Sequence, residues 1–261
     1  MRIVILTTGL HGVASHHLKK LVEVKDVEIV SVIYNANTKV DVKKSRKRQV
    51  EKIKKIGLLG ALNGIRMRQW YQSGIHKYLN IVNLEEICRE YTLPFFRVES
   101  IQDPLLAELI GQQSIDLGLS LGNGYIPKRI FSLPRLGMLN IHHEELPAYQ
   151  NAQSVLWQLY NKSKHTGYTI HQITSKIDEG DILYQEQVPI QFKDSLGETV
   201  SATYALLFEK SVEGLSKVLS DFDYFLSNSS PQGEGNKYTT PSLWQYLQIW
   251  INFQKLKKNN T

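Results

Sequence analysis

Within its first 35 residues the chain runs from a β-branched stretch, Arg2 to Thr8, through Gly9-Leu10-His11-Gly12, into an apolar pattern of helical period over Val13 to Val22. It leaves through a second β-branched stretch, Val27 to Tyr34. A strand, a glycine turn, a helix and a strand in that order make a crossover, and crossovers join parallel strands. That one feature commits the chain to an α/β fold with helices covering a mostly parallel sheet. The alternation continues downstream. Asn83 to Tyr91 reads as a helix with Asn83 as its cap and Glu85-Glu86 in its first turn, and Leu93 to Val98 as a short strand. Asp103 to Ile110 is a helix, and Ile115 to Ser120 is a strand that runs into the glycine-rich turn Gly122 to Pro127.

Leu136 to His142 reads as another strand, Ala152 to Tyr160 as a helix, and Gly167 to Thr174 and Ile182 to Val188 as two strands on a short connection. These last strands are expected to form an antiparallel edge pair. Glu198 to Leu219 is a long amphipathic helix with Tyr204, Phe208, Val212, Leu215 and Leu219 at three- and four-residue spacing. The expected division is a main body over 1–226, with a basic helical insertion at about 39–80. A polar linker and an aromatic, basic extension follow over 227–261. Cys88 is the single cysteine, so no intramolecular disulfide can form, which fits a reducing cytoplasm. The apolar run Ile3-Val4-Ile5-Leu6 is too short for a signal peptide, and no stretch approaches the roughly 20 apolar residues of a membrane span. The expected location is cytoplasmic.

The chemistry concentrates in Asn140-Ile141-His142 and in Ile177-Asp178-Glu179-Gly180-Asp181-Ile182. Residues two apart on a strand share a face, so Asn140 and His142 point one way and Ile141 the other. Asp178 precedes a strand, and strand mouths in open α/β sheets are where ligands bind. An amide, an imidazole and a carboxylate at one mouth suit acyl transfer. Alone, an Asn-x-His pair reads by default as a strand-end cap beside a satisfied core histidine.

Four linked elements settle that choice: Asn140-Ile141-His142, Leu146-Pro147-Ala148-Tyr149, Gly167-Tyr168-Thr169-Ile170-His171 and Asp178-Glu179-Gly180-Asp181-Ile182. In this order and spacing, Ile115 to Leu219 resembles the folate-dependent formyltransferases. These include enzymes acting on glycinamide ribonucleotide, on methionyl-tRNA and on amino sugars of surface polysaccharides. The resemblance implies a Rossmann-like sheet, 10-formyltetrahydrofolate as cosubstrate, no metal, and Asn140, His142 and Asp178 as the catalytic trio. It implies that Gly122, Asn123, Tyr125, Ile126 and Pro127 hold the pterin ring, with the stretch from Thr174 to Asp178 across from them and Thr169 and His171 in support. Gly9, Leu10, His11, Tyr149, Gln150 and Asn151 are candidates for the acceptor side. Asn140 would donate to the oxyanion, His142 would move a proton, and Asp178 would orient it. The chain departs from the family pattern at His143-Glu144-Glu145, at Gln150-Asn151 and at Asp181, beside the acceptor. Glu144 and Glu145 are either a solvated loop or a contact to the acceptor amine.

Between Lys39 and Arg68 there are eleven Lys/Arg against Asp41 and Glu51, a net +9 in a chain of net +6. This segment is a solvated face, a steering patch for a phosphate-bearing substrate, or a docking surface for nucleic acid or anionic membrane. Its apolar part, Ile56 to Tyr71, packs on the sheet or lids the acceptor site. The aromatic stretch Trp244 to Phe253 is expected to be a docking helix or a homodimer contact rather than an anchor. His11, His16 and His17 lack partners at ligand spacing, so a metal site is not expected. The stretch after the long helix is short for the β-barrel that methionyl-tRNA enzymes carry. The expected acceptor is therefore a nucleotide-linked amino sugar. Nucleic acid is not the expected partner, and a non-catalytic folate- or nucleotide-binding module is the remaining alternative.

Overall fold

Ile3, Val4, Ile5 and Leu6 are all fully buried, which is how a strand covered on both faces must look. This strand is the centre of the molecule. In the computed structural model, which describes residues 1–38, 42–151 and 154–259, the elements run as β1 (Arg2–Thr7), α1 (Val13–Leu21), β2 (Glu28–Asn35), α2 (Val42–Tyr71) and α3 (Leu84–Glu90). They continue as β3 (Phe95–Val98), α4 (Pro104–Gly111), β4 (Leu117–Ser120), α5 (Lys128–Phe131), β5 (Met138–His142) and α6 (Leu156–Tyr160). The last are β6 (His165–Gln172), β7 (Ile182–Pro189), α7 (Leu196–Ser220), α8 (Phe222–Ser227) and α9 (Leu243–Lys258). Lys39, Asp41 and Ala152, each part of a segment read from the sequence, lie outside the described residues.

The seven strands make one sheet in the order β3-β2-β1-β4-β5-β6-β7. The first five are parallel, while β6 runs antiparallel to β5 and β7 antiparallel to β6. The mostly parallel α/β sheet with an antiparallel edge pair is therefore as the sequence indicates. Alternation sorts the core. Ile3, Ile5, Leu119, Leu139 and Ile141 face Leu18, Ile87 and Leu215 on one side of the sheet. Val4, Leu6 and Met138 face Leu106, Ile110 and Ile130 on the other. Strand order reverses between β1 and β4, so the crevice at their carboxyl ends is the expected ligand site.

Two departures from the sequence reading matter. Gly57 breaks α2 with φ 76° and ψ 163°, angles that glycine adopts without a Cβ clash. Beyond the break, residues 58–71 turn inward and bury Met67. The helix before Tyr160 is a short α6, since Val155 ahead of it sits at φ 72° and ψ −39°.

The stretch after Ser227 is stitched to the main body. Ser230 pairs with Ile182 and Lys237 with Gln150. Ser242 and Gln245 cap α9 reciprocally, and Ile249 and Phe253 insert among Met67, Leu156, Leu159 and Val200. Asn252 donates to the Leu159 and Tyr160 carbonyls at 3.0 and 2.8 Å, satisfying the end of α6. Phe253→Ala is expected to lower the free energy of unfolding by about 3–5 kcal/mol through lost burial and a cavity. Urea unfolding followed by circular dichroism reads this, and an unchanged midpoint would show that α9 adds nothing to the fold.

Candidate active site

The end of β5 meets β6 in antiparallel register, with Asn140 opposite His171 and His142 opposite Thr169. The Asn140 side-chain nitrogen lies 3.2 Å from His171 Nε2. His171 Nδ1 lies 2.9 Å from the carbonyl oxygen of Gln172, which can only accept. His171 therefore carries its proton on Nδ1 and accepts from Asn140 through Nε2. Burial pushes the His171 pKa down to about 4, with the nearby His142 adding to this, so the ring is neutral at pH 7. The amide is thus held with one N–H spent on His171 and the other left for a substrate.

His142 is fixed by its other nitrogen. Its Nε2 donates to the Tyr149 carbonyl at 3.0 Å, leaving Nδ1 as the basic atom. That Nδ1 faces Asp178 Oδ2 at 3.8 Å, and the other carboxylate oxygen is 4.0 Å from His171 Nε2. The side chains of His142 and Asp178 are 14% and 12% exposed, so the pair is reachable but largely dry. Asp178 comes back to the sheet because the β6–β7 connection folds over it. Gln172 N–H bonds the Asp181 carbonyl at 2.9 Å. At Gly180 an added Cβ would stand 1.9 Å from the Gln172 carbonyl oxygen. Asp178 itself takes φ 56°, a left-handed conformation that aspartate tolerates better than most residues. Its carboxylate accepts from Asn151 N at 3.1 Å, and its carbonyl accepts from the Gln150 amide at 3.3 Å.

These groups open on a cavity of about 650 Å³, within the usual range for a small-molecule site. Gly122 to Ile126 and Ile173 to Asp178 supply two of its walls. Arg68, Tyr71 and Gln72 from the end of α2 supply another, so the insertion does reach the site. Of the residues picked from the sequence, Asn140, His142, Asp178, Gly122, Asn123, Tyr125, Ile126, His171, Thr174 and Asn151 line this cavity. Thr169 sits beneath it, accepting from Leu146 N–H and donating to the Glu144 carbonyl. Pro127 is set back as the residue before α5. Tyr149 stacks on Tyr238, with ring centroids 5.5 Å apart, and Gln150 is buried beside it. Gly9, Leu10 and His11 stay in the β1–α1 turn, where the Leu10 carbonyl accepts from Leu84 N–H.

The reading of Glu144 as a solvated residue is corrected. It is 1% exposed, and burial holds its carboxyl well above the usual carboxylate range. One oxygen takes the Gln158 amide, while Oε1 has no partner among the described residues; nor has Ser154 Oγ, whose residue also lines the cavity. His143 faces the opposite side from His142. It stacks on Phe208, and with His17 it donates to Ser211 Oγ, at 3.3 and 3.0 Å. Ser154 and Tyr204 carry no motif that marks them in the sequence. Ser154 is a lone hydroxyl, and Tyr204 belongs to the apolar stripe of α7.

Neutral histidines in the fold set a pH dependence. Burial pushes His171 down to about 4 and His143 to about 3 from an ordinary 6.5. Below pH 6.5 the unfolded chain therefore binds protons that the folded protein refuses. The stability due to these neutral rings is complete above that pH and is lost as pH falls toward the folded values. The urea midpoint is expected to drop between pH 7 and pH 4, and His143→Phe to make the drop shallower. An equal slope in the variant would remove His143 from the account.

The family model described as formyl transferase matches residues 1–218. The chain is 35% identical over 108 residues to a methionyl-tRNA formyltransferase of Syntrophus aciditrophicus, covering 41% of this chain and 35% of that protein. It is 30% identical over 171 residues to one of Kosmotoga olearia, covering 65% and 54%. The matched region thus spans about half or less of these curated relatives. Among solved structures, glycinamide ribonucleotide transformylase 1 of Symbiobacterium toebii superposes with TM-score 0.59 at 17% identity over 90% of this chain and 92% of that one. A 4-N formyltransferase of Francisella tularensis gives 0.56 at 18% over 97% and 87%. WlaRD, a sugar 3N-formyl transferase solved in the presence of dTDP and 5-N-formyl-THF, gives 0.57 at 17% over 97% and 78%. These structures share its fold, and with the family model matching more than four-fifths of its length, the chain belongs to the formyl transferase family.

Proposed function

We propose that the protein transfers a formyl group from 10-formyltetrahydrofolate to a primary amine, and that this amine belongs to a nucleotide-linked amino sugar. The observation that carries the reading is one cavity with three kinds of wall. The acyl-transfer trio sits between an apolar slot and a buried polar floor. The slot fits a pterin. Tyr125, Ile126, Ile173 and Ile177 give it flat apolar surface, Gly122 at φ 81° leaves backbone open, and Asn123 lines it with its buried Oδ1 unpartnered. The folate supplies the formyl carbon. The free N–H of Asn140 donates to the formyl oxygen as negative charge builds there. Nδ1 of His142 takes the proton that the amine loses, Asp178 stabilises the imidazolium so formed, and that proton would then go to the folate nitrogen that leaves as its bond to the formyl carbon breaks, releasing tetrahydrofolate.

On the acceptor side, Glu144 Oε1 and Ser154 Oγ are buried oxygens without partners among the described residues, and Tyr71 and Tyr204 line the same cavity. Hydroxyls of a sugar would satisfy these atoms, whose desolvation is otherwise uncompensated. Arg68 and Lys176 line the same cavity as cations fit for phosphate oxygens. The solved sugar enzymes resemble this chain over almost all its length. The basic α2 and the names of the curated relatives favour a second reading, formylation of methionyl-tRNA.

Tetrahydrofolate release with a panel of amino-sugar nucleotides, and with methionyl-tRNA in parallel, tests the two readings. Asn140→Ala is expected to lower kcat by roughly 10²–10³-fold and His142→Ala by roughly 10²–10⁴-fold, each with a wild-type melting curve. Glu144→Gln is expected to raise the acceptor KM and leave the folate KM unchanged. Wild-type turnover in the Asn140 or His142 variant would sink the mechanism, and turnover with tRNA alone would replace the acceptor.

A further inference from the structure

Two neighbouring surface helices present apolar side chains to water that nothing in the described fold covers. On α2, Leu58, Leu62 and Ile65 recur at spacings of four and three, with Leu59 beside them, and they are 54–64% exposed. The opposite face of the same helix carries Gly60, Gly64 and Met67 and is the one that packs. An added Cβ at Gly60 would stand 3.5 Å from Leu243 N, and one at Gly64 would stand 2.9 Å from Thr240 Cγ2. On α9, Ile249 and Phe253 point inward, while Trp244, Leu247 and Ile251 form an outward stripe at spacings of three and four, flanked by Trp250. Trp244 is 79% exposed. A helix that needs only one face for packing gains nothing in water from leucine, isoleucine and tryptophan on the other.

Charge says what those faces meet. The α2 span contains ten Lys/Arg and a single acidic residue, Glu51; the α9 span contains three lysines and no acid. Arg46, Lys47 and Lys54 on the first half of α2 are exposed. Apolar and aromatic side chains beside dense positive charge, on helices that lie on the surface, are the composition of an interfacial membrane contact. A second copy of this chain fits poorly, because a twofold contact would bring the same basic helices against each other. No helix among the described residues is long and apolar enough to cross a membrane, so the contact lies on the bilayer rather than through it.

We propose that the outer faces of α2 and α9 dock this protein on an anionic lipid bilayer, with the Leu58, Leu62, Ile65, Trp244 and Ile251 side chains in the headgroup boundary and the exposed Arg46, Lys47 and Lys54 against the lipid phosphates. The same α2 ends in Arg68 and Tyr71, which line the cavity, so docking would bring the acceptor side of the site close to the bilayer. That consequence rests on the proposed acceptor reading, whereas the docking itself does not.

Co-sedimentation of the full chain with phosphatidylcholine vesicles, with and without phosphatidylglycerol, tests this. Binding is expected only to the anionic vesicles and is expected to weaken as salt rises. The combined variant Leu58→Ser, Leu62→Ser, Trp244→Ser, Ile251→Ser is expected to lose it. Lys47→Glu with Lys54→Glu, which alters exposed charges only, is expected to weaken it by more than about tenfold. Circular dichroism and a melting curve confirm that each variant is folded. No binding to anionic vesicles overturns the proposal, as does binding that survives both variants. A dimer that the apolar variant converts to monomer, without vesicle binding, would give the surface to a second copy. Salt-sensitive tRNA binding without vesicle binding would give it to nucleic acid. Because none of these readouts uses folate or an amine, they stand whether or not the formylation assay succeeds.

Discussion

The hydrogen bond between the Asn140 amide and the His171 ring is the contact on which the site depends. It exists because the sheet changes from parallel to antiparallel where β6 joins β5, which sets Asn140 opposite His171 and His142 opposite Thr169. A slip of one residue would turn every one of these side chains to the other face. The bond also depends on burial. At 3% exposure His171 resists protonation, and only a neutral ring can accept from the amide. A charged His171 would donate instead and turn the Asn140 oxygen toward it, leaving the amide donor pointing away from its task. Desolvation of one histidine thus sets the polarity of the group beside it.

Much of this was legible in the sequence, for reasons that differ by residue. The shared face of Asn140 and His142, and the opposite face of Ile141, follow from the two-residue period of a strand. The Asn83 cap follows from a short side chain that accepts from Glu85 N–H ahead of an apolar helix. What sequence could not carry was the three-dimensional return of the chain. Gln150 and Asn151 are close to His142 in sequence, but only the left-handed turn at Asp178 brings that carboxylate to them. The arrival of Arg68 and Tyr71 at the cavity depends on the break at Gly57. One glycine in a basic, helix-favouring run does not reveal that it will turn 14 residues inward. Gly9, Leu10 and His11 drew notice for their position after β1, yet the wall at the neighbouring strand end comes from the Gly122 turn. Thr8 Oγ1 donates to the Gly122 carbonyl and ties the first turn to that wall.

Beneath the trio the protein spends burial on polar groups where hydrocarbon would be more stable. His17, His143 and Ser211 form a hydrogen-bonded knot among Phe208, Tyr204 and α7. Ser211 donates to the Phe208 carbonyl at 3.2 Å, so its oxygen is free to accept from both rings, and both must carry the proton on Nε2. The His17 Nδ1 is left with the Val13 backbone of its own helix, one turn back, as its neighbour. Such a cost is accepted where rigidity is needed, and here it braces the strand end that carries His142.

Glu144 illustrates the same logic one step nearer the substrate. A carboxylate at 1% exposure is strongly disfavoured, so burial holds the Glu144 carboxyl well above the usual carboxylate range. The acid lies at the floor of the cavity beside Tyr71 and Tyr204, whose hydroxyls are raised first by burial and then by the Glu144 charge, the latter to about 12. Asp178 is the carboxylate that faces the His142 ring, at 3.8 Å. Of the two acids lining the cavity, Asp178 reaches the histidine from a left-handed backbone, while Glu144 is buried against the Gln158 amide.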